Sequence, residues 1–286
     1  FAVPYFHAED LPLREFPSGD SFREVRGAVS YNRETLRVRE LTFRYQGGRG
    51  AAAGETQLAA AGGHPSHHYR FSLSGIAVAG LFREKENDQV VTGALSGSGE
   101  IIISGKTAAD FKKTASGSMS LKIEKGVLKK FPVLAKIFSL LNISQLLRLK
   151  LPDLATEGMA FRTISADITM KNGLAATNNL YLDSDAMNIV GTGKINLAER
   201  TIDATIGLQP LQTVDKIISR IPVAGWILTD DDRRFITVYF DARGSLDNPS
   251  VRAIPIKGLS EEALDMFKRV FKLPKKLVTD TGEIIY

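Results

Sequence analysis

From Met119 to Phe240 apolar side chains recur at every second position, the periodicity of strands that bury one face of a sheet. The stretch from Thr163 to Lys171 shows it most cleanly. Ile164, Ala166, Ile168 and Met170 fall on one face, while Ser165, Asp167 and Thr169 fall on the other. Asn172-Gly173 follows, a dipeptide suited to the tight turn of a hairpin, so a second strand must return antiparallel. Leu180 and Leu182, then Ile195 and Leu197, then Ile202, Ala204, Ile206 and Leu208 continue the alternation. Turn residues separate them at Asp183-Ser184-Asp185 and Ala198-Glu199-Arg200. Ile236, Val238 and Phe240 resume the pattern after Asp230-Asp231-Asp232, and Gly244 to Pro249 closes that strand. The pattern predicts an antiparallel meander.

Three stretches change period. After Pro132, which suits a first helical position, Leu134, Ile137, Phe138 and Leu141 share one stripe with Lys136 opposite, predicting an amphipathic helix within 133–149 with an interruption at Asn142. Leu211, Val214, Ile218 and Ile221 form a second stripe, ended by Pro222. Leu264, Phe267 and Phe271 form a third over 261–272, between acidic Glu261-Glu262 and basic Lys268-Arg269. The first stripe has three readings. It packs on its own sheet, plugs the end of a groove, or lies on a membrane surface with Lys129, Lys130, Lys136, Arg148 and Lys150 near headgroups. Trp226, after Ile221-Pro222-Val223-Ala224-Gly225, is either an interfacial anchor or a core residue.

An internal repeat emerges when Leu41 to Ala59 is laid on Leu180 to Ala198. Leu41/Leu180, Gly54/Gly193 and Leu58/Leu197 match at one offset, 139 (193 − 54). Such units stack along an extended sheet when none can bury its apolar face alone.

Composition narrows the class further. With 286 residues, 43% hydrophobic, the chain is long enough for one large domain or two smaller ones, and its 25 glycines favour many short strands. The absence of cysteine removes disulfides, thiolate zinc ligands and thiol nucleophiles together. No run of about 18 apolar residues exists to span a bilayer. The chain opens at Phe1 without initiator methionine or leader pattern, which predicts a piece of a longer protein. A net charge of +5, from 37 basic against 32 acidic side chains, is too mild to choose between nucleic acid and phospholipid headgroups. Nucleic-acid binding also lacks aromatics interleaved on a basic strand face.

Candidate chemical motifs read better as structure. Gly191-Thr192-Gly193-Lys194 resembles the end of a phosphate-binding loop, but Asn188 stands where that loop needs glycine and Ile195 where it needs a hydroxyl. His64, His67 and His68 sit in a Gly/Ala-rich stretch that reads as a solvated loop tip without metal-ligand company. Asp183, Asp185 and the 230–232 triplet lack the glycine and distal glutamate of a calcium loop and read as turns. No nucleophile elbow accompanies the serines and histidines, so neither an enzyme nor a cofactor is expected.

Several blocks carry a family resemblance: TASGSMSLKIEKGVL from Thr114, FPVLAKIFSLLNISQLL from Phe131, SDAMNIVGTGKINLAERTIDATI from Ser184, LQPLQTVDKIISRIPVAGWIL from Leu208 and FITVYFDARGSLDNPSVRAIP from Phe235. Their order resembles the C-terminal region of AsmA-like envelope proteins, the group of the AsmA, TamB and YhdP type. Residues 21–82 resemble a weaker upstream repeat of that type. The resemblance implies a mainly β fold, an extended antiparallel, curved repeat sheet forming a hydrophobic groove with a few short amphipathic helices. It divides the chain into an upstream repeat, 1–110, and a C-terminal β region with capping helices, 111–286. It further implies a periplasmic segment of an inner-membrane-anchored protein in a diderm bacterium, moving phospholipid toward the outer membrane without catalysis. An alternative is a structural or interaction module assisting outer-membrane protein assembly. Expected partners are phospholipid acyl chains, an envelope protein, and membrane contacted through regions outside this chain; nucleic acid is not one. On alternation, Ile164, Ile168, Ile195, Leu197, Ile202 and Ile206 are the candidate groove residues, and Leu134, Ile137, Phe138, Leu141 and Trp226 the candidate membrane or partner contacts.

Overall fold

A computed structural model describes residues 2–12, 21–58, 63–80, 91–129, 131–140, 158–211, 227–229 and 236–272. Its strands are β1 (Ala2–Pro12), β2 (Ser21–Tyr31), β3 (Thr35–Tyr45), β4 (Gly48–Gln57), β5 (Ser66–Ala77), β6 (Ala94–Ser104) and β7 (Ser116–Leu128). They continue as β8 (Met159–Lys171), β9 (Leu174–Asp183), β10 (Met187–Asn196), β11 (Thr201–Pro210), β12 (Ile227–Thr229), β13 (Ile236–Ser245) and β14 (Ser250–Ile254). Helices α1 (Ala108–Thr114), α2 (Pro132–Leu140) and α3 (Glu261–Lys272) interrupt them. All the strands join one open, curled antiparallel sheet. From β1 to β11 each strand pairs with its sequence neighbours, and β13 follows, its second edge shared by β12 and β14.

Local chemistry sets the hairpins. Asn172 and Gly173 hold φ of +48° and +75°, and Gln46 and Gly47 hold +45° and +79°, the two positive angles of a turn whose twist matches the flanking strands. Across β5 to β8 the outward side is polar: Ser72, Ser98, Ser120 and Asp167 stand opposite one another. The inward side is apolar, so the mainly β, curved-sheet expectation holds.

The repeat seen at offset 139 extends to strand register. In β3–β4, Val38 faces Gly54 and Leu41 faces Ala52, so Arg39 and Glu40 form a bulge opposite Ala53. In β9–β10, Thr177 faces Gly193 and Leu180 faces Gly191, leaving a bulge at the same place. The preceding hairpins agree as well: Arg26 faces Thr42 and Ser30 faces Arg37, as Ser165 faces Tyr181 and Thr169 faces Ala176. Bulges bend a strand and increase its twist, so a bulge repeated at one position imposes the same local curl twice. The match places β2–β4 on β8–β10, and β6 passes through α1 into β7 without a break in pairing.

Two cores form on the two sides of the sheet, the inward one reaching back to Val78, Val91 and Leu95. On the inward side α2 buries Val133, Leu134 and Ile137 against Phe161, Leu182, Ile189, Leu208, Val238 and Phe240. It reaches the β13–β14 turn, where Lys136 Nζ donates to Asn248 Oδ1 and Pro249 O, each at 2.6 Å. On the outward side α3 sets Met266 and Phe267 against Val190, Tyr239 and Ile254, with the Tyr239 and Phe267 rings 5.2 Å apart. Ser260 caps α3, its Oγ accepting from Ala263 N at 3.2 Å.

Burial under α3 pushes the Tyr239 phenol up to about 12, and burial, with Asp183 adding to it, does the same for Tyr181. Both folded values exceed the unfolded phenol value of about 10. Their contribution to stability is therefore complete below about pH 10 and is lost as pH rises toward 12, because the unfolded chain releases those protons first. Phenolate absorbance during alkaline titration is expected to show Tyr181 and Tyr239 ionising late, together with unfolding.

Several sequence expectations change. His67 and His68 are not in a loop tip but in β5, on opposite faces. His67 Nδ1 hydrogen-bonds Thr56 Oγ1 at 3.0 Å, and its ring meets Phe111 edge-on. His68 Nε2 lies 3.6 Å from Glu100. Leu141, Trp226, the 230–232 triplet and the helical stripe beyond Leu211 lie outside the described residues.

Candidate functional site

The inward face is organised in cross-strand rows. One runs Phe43, Gly50, Leu73, Gly97, Leu121, Ala166 from β3 to β8. The next runs Leu41, Ala52, Phe71, Gly99, Met119, Ile168. Large side chains on β3, β5 and β7 alternate with glycine or alanine on β4 and β6. Each glycine lies beneath a neighbour: the Phe43 ring over Gly50, and Leu121 over Gly97, where an added Cβ would come within 2.8 Å of its Cδ2. Large residues leaning over cross-strand glycines give a continuous hydrocarbon surface on a strongly curved sheet, where side chains on the concave side crowd.

Coverage of this surface differs along the sheet. Further on, the row Ile123, Ile164, Leu182, Ile189, Leu208, Val238 crosses β7 to β13, and it belongs to or packs on the buried cluster that also holds Val133, Leu134 and Ile137 of α2. Leu208 is fully buried and Val238 is 2% exposed. On β3 to β8, by contrast, Leu41, Phe43, Phe71, Met119 and Ile168 are only partly buried, and none belongs to a buried cluster. Among the described residues the Leu41, Phe71, Met119 and Ile168 row thus forms a partly open apolar trough, whereas Leu73 and Leu121 of the adjoining row pack against the core that holds α2.

The six residues chosen from alternation divide between these regions. Ile164, Ile168, Ile195, Ile202 and Ile206 share the inward face by register. Ile202 and Ile206 are buried in the core, Ile164 and Ile195 pack partly buried against it, and Ile168 lies in the partly open row. Leu197 follows β10, partly buried, with its N–H donating to Gly173 O at 2.9 Å. Of the helix residues, Leu134 and Ile137 are turned into the protein's own sheet and Phe138 packs partly buried beside them. Of the three readings of that stripe, this is the packing on its own sheet. Sequence reasoning missed Leu41, Phe43, Phe71 and Leu73. Their own alternation is visible, but they face glycine and alanine strands that carry no hydrophobic signal.

Electrostatics outside the trough are those of turns and pairs. Arg162 clamps the β9–β10 turn, its Nε donating to Asp183 Oδ2 at 2.7 Å, with further guanidinium bonds to Asp183, Asp185 and Ser184 O. The Asp183 hydrogen bonds raise the Arg162 pKa further above its ordinary value. Replacing Arg162→Ala leaves a largely buried Asp183 carboxylate without its donor. The expected cost is about 1–2 kcal/mol, read by urea denaturation at neutral pH. Among the described residues no cluster of His, Asp and Glu is arranged to hold a metal ion.

A curled antiparallel sheet with an apolar inward face and repeated register is the frame of an AsmA-like envelope protein, and this chain is of that class. More narrowly, it belongs to the YhdP protein family, whose model matches residues 17–251. That family lies in the AsmA-like, TamB-containing group of bacterial envelope proteins and is not known as enzymatic. Neither the curated proteins nor the solved structures give a match to the chain. No helix among the described residues is long and apolar enough to cross a membrane.

Proposed function

We propose that the partly open trough carries acyl chains, and that the chain is a non-enzymatic segment of a phospholipid conduit between the inner and outer membranes. The observation that carries this is the apolar row Leu41, Phe71, Met119 and Ile168 on β3 to β8, left partly open among the described residues and adjoining by register the rows that enter the core with α2. Its size fits the cargo. A strand of ~8 residues spans about 26 Å, comparable to an extended acyl chain. Exposing a ~16-carbon chain to water costs roughly 13 kcal/mol, so a continuous hydrocarbon wall lowers the barrier to moving a lipid. In this reading the headgroup stays in water at the trough mouth, the segment works in the periplasm, and any anchor lies elsewhere in the protein.

Membership of an envelope family supports this reading. The test is native mass spectrometry of the purified chain with extraction and identification of bound lipid. Stoichiometric phospholipid is expected. Lipid-free protein that also fails to take up a fluorescent phospholipid would overturn the proposal in favour of a structural module for outer-membrane protein assembly.

A further inference from the structure

On the outward face, charges that meet across strands are mostly of opposite sign. Arg37 faces Glu55, with 2.9 Å between them, Arg70 faces Glu100, Asp203 faces Arg243, and Asp241 faces Arg252 at 3.0 Å. One row breaks the rule. Arg23 on β2 faces Arg44 on β3, which faces Arg49 on β4. Like charges directly opposite destabilise a sheet. All three are exposed, and Arg26, also exposed, lies one row further along. Glu24 lies 3.3 Å from Arg44, and Asp10 stands opposite Arg23 in the β1 register. Arg49 has no carboxylate within ion-pair distance among the described residues.

The internal repeat supplies a control. At the offset of 139 (193 − 54), Arg23, Arg44 and Arg49 correspond to Arg162, Asp183 and Asn188. There the second position is an acid, and the arginine clamps it. The same fold position is thus satisfied by an Arg–Asp pair, and the first half carries a third arginine and a second where the fold needs neither. The opposite face of the same strand ends is aromatic: the Phe22 ring lies 4.7 Å from Phe43 and 5.2 Å from Tyr45. No aromatic separates the arginines on their own face, where Thr42, Ala51 and Ser72 adjoin them.

The geometry points to an anionic phospholipid surface docked at this rim, with the Arg23–Arg44–Arg49 row gripping headgroup phosphates and the aromatic end of the trough facing the acyl region. The inference rests on the lipid-carrying reading of the trough. Guanidinium groups one strand apart, about 4.8 Å, are spaced to share phosphate oxygens, and the planar fork suits a phosphate bidentately. Charge outside and rings inside on the same strand ends match the two layers of a membrane interface.

The experiment compares the 286-residue chain with its Arg44→Gln/Arg49→Gln and Arg44→Lys/Arg49→Lys variants. Each is sedimented with vesicles of phosphatidylcholine alone or mixed with phosphatidylglycerol, with inorganic phosphate as competitor. The Gln pair is expected to bind mixed vesicles about 30-fold more weakly, as loss of two surface cations predicts, with the Lys pair intermediate. Its melting temperature should equal or exceed that of the parent, since like-charge contacts are removed. Equal vesicle binding by parent and Gln pair, no binding by the parent, or a lower melting temperature in the Gln pair would each overturn the inference. Displacement by phosphate at concentrations where matched chloride has no effect would assign the row to free phosphate and overturn the lipid source. Uptake of a fluorescent fatty acid, measured alongside, should be the same in all three. Its absence in the parent would count against the trough reading, whereas a vesicle result alone bears on the arginine row.

Discussion

Ile168→Asp is expected to strip bound lipid from a chain that still folds, while Leu208→Asp is expected to unfold it. The two leucine-like side chains sit on the same inward face, but their surroundings differ. Leu208 is fully buried between Ile189 and Val238 beneath the α2 core. A carboxylate there has neither water nor a partner, a penalty above about 4 kcal/mol on top of the lost packing, against a total stability of roughly 5–15 kcal/mol. Ile168 is partly exposed, faces Met119 on β7, and lies where the β8–β9 register shifts. Its replacement forfeits about 1–2 kcal/mol of burial and leaves the new charge hydrated. A hydrated charge in the middle of a hydrocarbon wall is nevertheless ruinous for an acyl chain. Circular dichroism and lipid mass spectrometry on both variants give the answer. If Ile168→Asp keeps its lipid, cargo does not pass over β8; if it unfolds, the trough is core.

Ile137→Asp should release α2 while the sheet persists. Ile137 is fully buried, and the nine described residues of α2 are too few to stay helical by themselves in water once undocked. The expected loss is about 3–5 kcal/mol of docking free energy, concentrated in one segment because the strands beneath keep their ladders. Hydrogen exchange is the measurement: protection across 132–140 should fall to that of an unfolded peptide while β9 to β11 remain protected. The newly bared row of Leu182, Ile189 and Leu208 should then take up additional fluorescent lipid. Joint loss of protection in helix and sheet would show that α2 is part of the fold's foundation rather than a cover.

Much of this fold is legible because one-faced burial writes itself into sequence at period two. The strands around Ile164, Ile202 and Val238, the Asn172-Gly173 turn and the α3 stripe through Leu264 and Phe267 are all visible in the chain, and all are observed. What escapes notice is where packing is supplied from next door. Gly50, Ala52 and Gly54, like Gly97 and Gly99, form strands because neighbours on both sides pair with them and lend their side chains. Read alone they suggest loop, which is why His67 and His68 were expected at a tip. Alternation also identifies a face without saying whether anything lies over it. Ile168 and Ile206 are indistinguishable by period; only α2, arriving from a different part of the chain, separates a bare position from a buried one.

The two ends of the sheet are unlike. At one, β1 offers eleven residues of strand; at the other, the final edge is divided between β12, with three residues, and β14, with five. Short, split strands are poor templates for further pairing, whereas a long one is a good template. Among the described residues the β1 edge is therefore the better template for a further pairing, and the divided edge beside β13 the poorer one, so the two edges of the sheet are unequal as docking rails.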